Sequence, residues 1–152
     1  MALRRFTGIG ELGNAVGEVC GPTDWVLIDQ DLIRRFSDDT GDHNWVHLDH
    51  ERAARAGYGT TIAHGFLSLS LIGKFSPELI EIDECPTTIN YGLDRVRFPA
   101  PCPSGSRVRA LAEILRVVRV DGGAQLTLRY RIEREGGGKP VCVADQVSRR
   151  LR

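Results

Sequence analysis

The sequence carries no excess charge of either sign: twenty Lys and Arg offset twenty Asp and Glu, so the formal net charge is zero. A nucleic-acid partner calls for a basic surplus to neutralise phosphates, and that class is disfavoured. The arginines that gather late in the chain (Arg129, Arg131, Arg134, Arg149, Arg150, Arg152) read as solvated strand faces and a tail. No apolar run approaches the ~20 residues that cross a bilayer, so no membrane partner is expected. The opening MALRRFTGIGELG lacks the apolar stretch of a signal peptide. Cysteines 20, 85, 102 and 142 form no C-x-x-C pair and no metal-ligand spacing. Read as reduced thiols, some of them in the core, they suit a cytoplasmic protein. Internal repeats and low-complexity linkers are also missing, and the length suits one domain spanning residues 1–152.

What is present is a helical first half and a stranded second half. Residues 8–18 predict a short helix ended by Gly21-Pro22, and Trp25–Ile28 a strand. Asp31–Thr40 has Leu32, Ile33 and Phe36 at helical spacing, with Gly41 as the stop. Residues 42–59 look irregular, apart from a turn or two of helix around 51–56. Across 60–75 (TTIAHGFLSLSLIGKF), apolar residues cover nearly the whole circumference of a helix. Such a helix, too short for a membrane, must be enclosed by protein. Thr87–Phe98, Ser106–Val120, Ala124–Glu135 and Lys139–Leu151 then read as strands. Asp121-Gly122-Gly123 and Gly136-Gly137-Gly138 are their turns, and Pro99, Pro101 and Pro103 separate the first from the second. Leu126, Leu128, Tyr130 and Ile132 alternate with Thr127, Arg129, Arg131 and Glu133, the mark of a strand with one buried face. The pattern is an α+β protein in which an antiparallel sheet wraps one central helix.

All four histidines (43, 47, 50 and 64) fall within a short stretch that also holds Asp42, Asn44 and Asp49. Three readings of this cluster stand at this level. It is a polar loop with capping aspartates and exposed histidines; or a metal site, since His43, His47 and His50 are spaced for convergence on a helix; or a carboxylate–imidazole acid–base pair. Gly41 and Asn44 oppose a continuous helix there, and no H-E-x-x-H motif occurs.

The stretch FSDDTGDHNWVHLD (Phe36–Asp49), followed by YGTTIAHGF (Tyr58–Phe66), resembles the hydratase motif of the (R)-specific enoyl-CoA hydratases in the MaoC-like dehydratase family. That pattern runs roughly F-x-x-x-[ST]-G-D-x-N-x-x-H-x-D, then G-x-x-I-A-H-G. The segment NYGLDRVRFPAP from Asn90 resembles the NodN-like branch. One departure is Trp45, where many members carry proline; it bears on the shape of the acyl pocket.

The resemblance implies the hotdog fold: a curved antiparallel sheet around a long central helix. It implies hydration of a trans-2-enoyl-CoA to the (R)-3-hydroxyacyl-CoA and the reverse dehydration. Asp42 and His47 would hold the catalytic water, and the Gly65 N–H would stabilise the thioester oxygen. Asn44 and His64 would support them from behind. Asp49 would cap the next helix. Arg95 and Arg97 read as solvated on their strand, with contact to CoA phosphates as the other reading. A homodimer is implied, with no metal or redox cofactor, the CoA thioester being the substrate. Two other functions share the fold: a hotdog acyl-CoA thioesterase, and a non-catalytic acyl-thioester binder or partner subunit of a dehydratase.

Overall fold

In the computed structural model, which describes residues 3–152, the elements begin β1 (Arg4–Phe6), α1 (Ile9–Asn14), β2 (Val19–Cys20), β3 (Val26–Ile28), α2 (Gln30–Thr40), α3 (Trp45–Leu48) and α4 (His50–Arg55). They continue α5 (Gly65–Ser70), α6 (Ile72–Leu79), β4 (Ile80–Ile82), β5 (Thr87–Arg97), β6 (Ser106–Val120), β7 (Gly123–Arg134) and β8 (Cys142–Leu151). The main sheet has the order β2-β6-β7-β8-β5, with β3 also on β6, and all its pairs are antiparallel. β1 and β4 make a separate parallel pair. Register shifts at Ile114/Arg116 in β6 and at Asn90/Gly92 and Leu93/Arg95 in β5 bend these strands. The sheet thus curls around α5–α6, which pack on β8 and β6. This is the hotdog arrangement.

Local signals explain most elements. Asp29 caps α2 by accepting the Leu32 N–H at 2.8 Å, and Gly41 ends it with φ +74°, a left-handed conformation that favours glycine. In β7, Leu126, Leu128, Tyr130 and Ile132 are fully buried, while Arg129, Arg131 and Glu133 face outward. β8 starts at Cys142, because Gly136, Gly137 and Gly138 all adopt positive φ and extend the loop past Lys139. All four cysteines are buried and free.

The central helix departs from its expected form. Residues 61–64 are an extended entry, tied by the Ile62 N–H to Val46 O and by the Ala63 N–H to Cys102 O, so the helix starts only at Gly65. It breaks at Leu71 and resumes through Pro77 to Leu79. Nor is it enclosed all round: Leu67, Ile72, Phe75 and Leu79 enter the core, but Phe66 is 70% exposed. Counting the entry residues as helical filled in a face that the real helix leaves open. The same flank carries β5, exposed along almost its whole length, with Ile89, Tyr91 and Leu93 in the open and Phe98 just beyond. A second correction concerns the late arginines. Arg129 forks onto Asp145 at 2.8 and 2.9 Å, Arg149 stacks on Tyr91, and Arg150 is buried inside the curl.

Candidate active site

The site is assembled by the turn that leaves α2. Ser37 and Ile33 share the buried face of that helix. The Ser37 hydroxyl donates to the Asp42 carbonyl at 2.6 Å, folding the chain back after Gly41. A second donor, His64 Nε2–H, reaches the same carbonyl at 3.0 Å. The backbone of Asp42 is therefore clamped twice, while its carboxylate stays exposed and accepts the Asn44 N–H at 3.4 Å. Asn44 caps α3 by accepting the Val46 N–H at 3.3 Å, which puts His47 in the one turn of that helix.

Backbone carbonyls fix the tautomers of both inner histidines. His47 Nδ1 lies 2.7 Å from Ile62 O; since a carbonyl only accepts, Nδ1 carries the hydrogen and Nε2 keeps its lone pair. By the same reasoning His64 is protonated on Nε2, leaving Nδ1, which is buried and has no partner. The two rings stack with centroids 3.6 Å apart and planes 26° apart, and Phe36 tilts against His64 at 5.1 Å. Burial holds the His47 pKa below the usual histidine value; neighbouring His64 pushes the same way, while the Ile62 carbonyl and Asp42 oppose. His47 is accordingly a neutral imidazole with a free acceptor at neutral pH.

One support was invisible in the sequence. Gln30, in the first turn of α2, donates from Nε2 to His47 O at 2.8 Å and accepts from the Thr61 hydroxyl, joining three segments. Nothing local to Gln30 signals this. Ser37 did leave a signal, a small hydroxyl in an otherwise apolar helical stripe.

His43 and His50 are not part of the cluster. Each is exposed, His43 facing Asp38 at 3.2 Å and His50 facing Thr60 at 3.0 Å. Asp49 caps α4, its Oδ1 accepting the Arg52 N–H at 2.9 Å. The Trp45 ring lies under the Arg52 guanidinium at 4.3 Å, on the outer side of the loop. Donor atoms of Asp42, His47 and His64 lie within 4.8 Å of one another and could approach a cation. The near-parallel imidazole planes, however, keep their in-plane lone pairs from converging on one ion. No thiol stands by as a nucleophile: burial pushes Cys20, Cys102 and Cys142 up to about 11.

Gly65 opens α5, with His64 as the residue before it, and its N–H has no acceptor among the described residues. A Cβ on Gly65 would meet the Phe98 ring at 3.0 Å, so the glycine also answers a packing demand. Beside the helix runs a cavity of 430 Å³ lined by Leu69, Ile72, Tyr91 and Leu93 among others. A larger one of 800 Å³ follows towards the C-terminal end of α6. Neither is lined by Asp42 or His47. Arg95 and Arg97 line a groove of 300 Å³ with Arg129 and Asp145.

Residues 11–135 match the family profile of the MaoC like domain. The chain is 45% identical to the 3-hydroxyacyl-thioester dehydratase Z of Mycobacterium tuberculosis, over 97% of this chain and 98% of that protein. It is 36% identical to the nodulation protein N of Rhizobium leguminosarum bv. viciae, over 92% and 89%. Among solved structures it is similar to the unliganded (R)-hydratase PhaJ1 of Pseudomonas aeruginosa, with a TM-score of 0.78 and 25% identity, covering 96% of this chain and 86% of that one.

Proposed function

Because this chain belongs to the MaoC-like dehydratase family, we propose that it hydrates the C2–C3 double bond of a trans-2-enoyl-CoA to the (R)-3-hydroxyacyl-CoA, and runs the dehydration in reverse. The observation that carries this reading is the pairing of an exposed Asp42 carboxylate with a His47 Nε2 lone pair, both aimed by backbone clamps. One ligand atom from each of Asp42, His47 and His64 lies within 4.8 Å of the others, a span that a water accepted by two of them would fit. The 45% identity to a 3-hydroxyacyl-thioester dehydratase over nearly the full length supports the same reaction class.

Asp42 accepts a proton from the water as its oxygen attacks C3 and returns that proton to C2, so that O–H adds at C3 and H at C2; the His47 Nε2 lone pair accepts the water's other O–H and orients it for this transfer. Attack pushes negative charge onto the thioester oxygen. The free Gly65 N–H, at the positive end of α5, is the donor for it. Asn44 and His64 act behind the pair, one setting the start of α3 and the other holding the Asp42 carbonyl. The Trp45 ring, packed against Arg52, leaves this machinery untouched.

The reading extends to a homodimer in fatty-acid metabolism of the cytoplasm, with CoA as part of the substrate and no added cofactor. β5 is a long free edge beside exposed Phe66, Ile89, Tyr91, Leu93 and Phe98, a face that a second copy would cover. No described helix is long and apolar enough to cross a membrane.

The test follows loss of enoyl-thioester absorbance with crotonyl-CoA, then chiral analysis of the product. Asp42→Asn and His47→Gln should each lose at least ~10²-fold in rate while keeping their fold. Near-normal rates in either variant refute the assignment. Release of free CoA thiol would mark a thioesterase instead, and tight binding without turnover a binding subunit.

A further inference from the structure

Arg150 occupies the inner face of the curled sheet, near the far end of the helix from Gly65. It is 6% exposed. One guanidinium nitrogen donates to the Thr88 hydroxyl of β5, another to Ser76 Oγ of α6 at 3.3 Å, and Nε has no acceptor. Among the described residues no carboxylate lies within ion-pair distance of it, although Arg129 on the same sheet and Arg152 just past the end of β8 each pair with one. Around it the hydroxyls of Tyr130 and Ser148 are also buried without partners. Burial in these surroundings holds the Arg150 pKa below its usual value, yet a guanidinium stays charged at any ordinary pH. A buried cation without a counter-charge is costly to desolvate, and an anion placed against it offsets that cost.

Arg150, Ser76 and Thr88 line the cavity of 800 Å³. That cavity shares Gly73, Asn90 and Gln146 with the apolar one of 430 Å³, so the two abut along the helix. From Gly65 to Ser76 the helix advances about 16 Å at its usual rise. A ligand whose thioester oxygen sits at Gly65 would therefore run first past Leu69, Ile72, Tyr91 and Leu93, then reach hydroxyls and a guanidinium. Two carboxylates share the larger cavity: Glu81 is paired with Arg5 at 2.8 Å, and Asp83 is exposed.

We propose that Arg150 receives a carboxylate at the far end of the acyl chain, so that the preferred substrates are thioesters of dicarboxylic acids. This deepens the hydratase reading and rests on it for the placement of the thioester. A carboxylate can take two parallel N–H bonds from a guanidinium, which a methyl end cannot.

The deciding experiment is calorimetric titration of the purified protein with dodecanedioyl-CoA and dodecanoyl-CoA, saturated ligands that need no turnover. The dicarboxylic ligand should bind at least about tenfold tighter, the scale of one hydrogen bond to a charged group. Arg150→Met should erase that difference. Where Arg150→Met fails to fold, Thr88→Val, on the exposed strand, removes one prop of the guanidinium and should shrink the preference. Equal binding of the two ligands by the wild type overturns the proposal, as does a preference that survives both substitutions. Crotonyl-CoA hydration by the wild type separates the two readings. Hydration without the preference sinks the carboxylate site alone. The preference without hydration of any enoyl-CoA sinks the hydratase reading and leaves the carboxylate site supported.

Discussion

The two ends of the central helix treat polar groups in opposite ways. At the Gly65 end, main-chain carbonyls saturate one nitrogen of each inner histidine, and two donors saturate the Asp42 carbonyl. What remains free is His47 Nε2, the Asp42 carboxylate, the Gly65 N–H and the buried His64 Nδ1 behind them. At the Ser76 end, Arg150 Nε and the Tyr130 and Ser148 hydroxyls are buried without a hydrogen-bond partner among the described residues. The first end is finished by the chain itself, as a reacting centre must be to work without reorganisation. The second is completed by something the chain does not contain. Folding energy is spent on both, since every unpaired buried polar group costs ~1–3 kcal/mol.

The sharpest way to break the comparison is at the finished end. Asp42→Asn and His47→Gln remove groups whose neighbours stay fixed, and each should cost ~10²–10⁴-fold in kcat/KM on crotonyl-CoA. Circular dichroism should show an unchanged fold. A loss shared equally by Ser37→Ala would mean that the clamp, not the carboxylate, is the sensitive part.

A smaller effect is expected at Gly65. Gly65→Ala drives a methyl group to 3.0 Å from the Phe98 ring, and overpacking of this kind costs ~1–3 kcal/mol. The N–H survives the substitution. Combining it with Phe98→Leu should therefore recover much of the lost stability, read as Tm. Activity should recover with it, because the donor was displaced rather than deleted. Recovery of Tm without recovery of rate would separate packing from the oxyanion role.

Smaller again is Ser37→Ala. It deletes one of two donors to the Asp42 carbonyl and leaves His64 holding the other position. About 1 kcal/mol of stability is expected to go, with a modest fall in kcat and little change in KM.

How far the sequence spoke for this molecule depends on the range of each interaction. The α2 stripe, its stop at Gly41, the cap at Asp49 and the β7 alternation all rest on residues within a turn or two, and each was legible; the single turn of α3 that Asn44 caps was not, since one turn is too short to show a period. The start of the helix at Gly65 was not, because residues 61–64 are held extended by Val46 and Cys102, distant in sequence. Apolar periodicity could not tell a buried face from one awaiting cover, so Phe66 read as core. Arg150 read as solvated because charge is normally outside; its burial follows from strand register, which puts it on the inner face two residues from Ser148. The Asp42 and His47 roles came from motif resemblance, whereas Gln30, which ties His47 to Thr61, had no motif to announce it.

The gentlest probe is proton linkage at His47. Its pKa in the folded protein is depressed, chiefly by burial, while the unfolded chain titrates near the ordinary histidine value. Above that value both states are neutral and the group contributes nothing to pH dependence. As pH falls below it, the unfolded chain takes up the proton first, so the folded state loses stability until its own lower pKa is passed. Tm should fall from about pH 7 to about pH 5 more steeply in the wild type than in His47→Gln, which has no proton to bind. The acid limb of kcat/KM should likewise lie below the ordinary histidine range, since the neutral imidazole persists to lower pH. An acid limb shifted upward would mean that the Ile62 carbonyl and Asp42 together outweigh burial and His64 at His47.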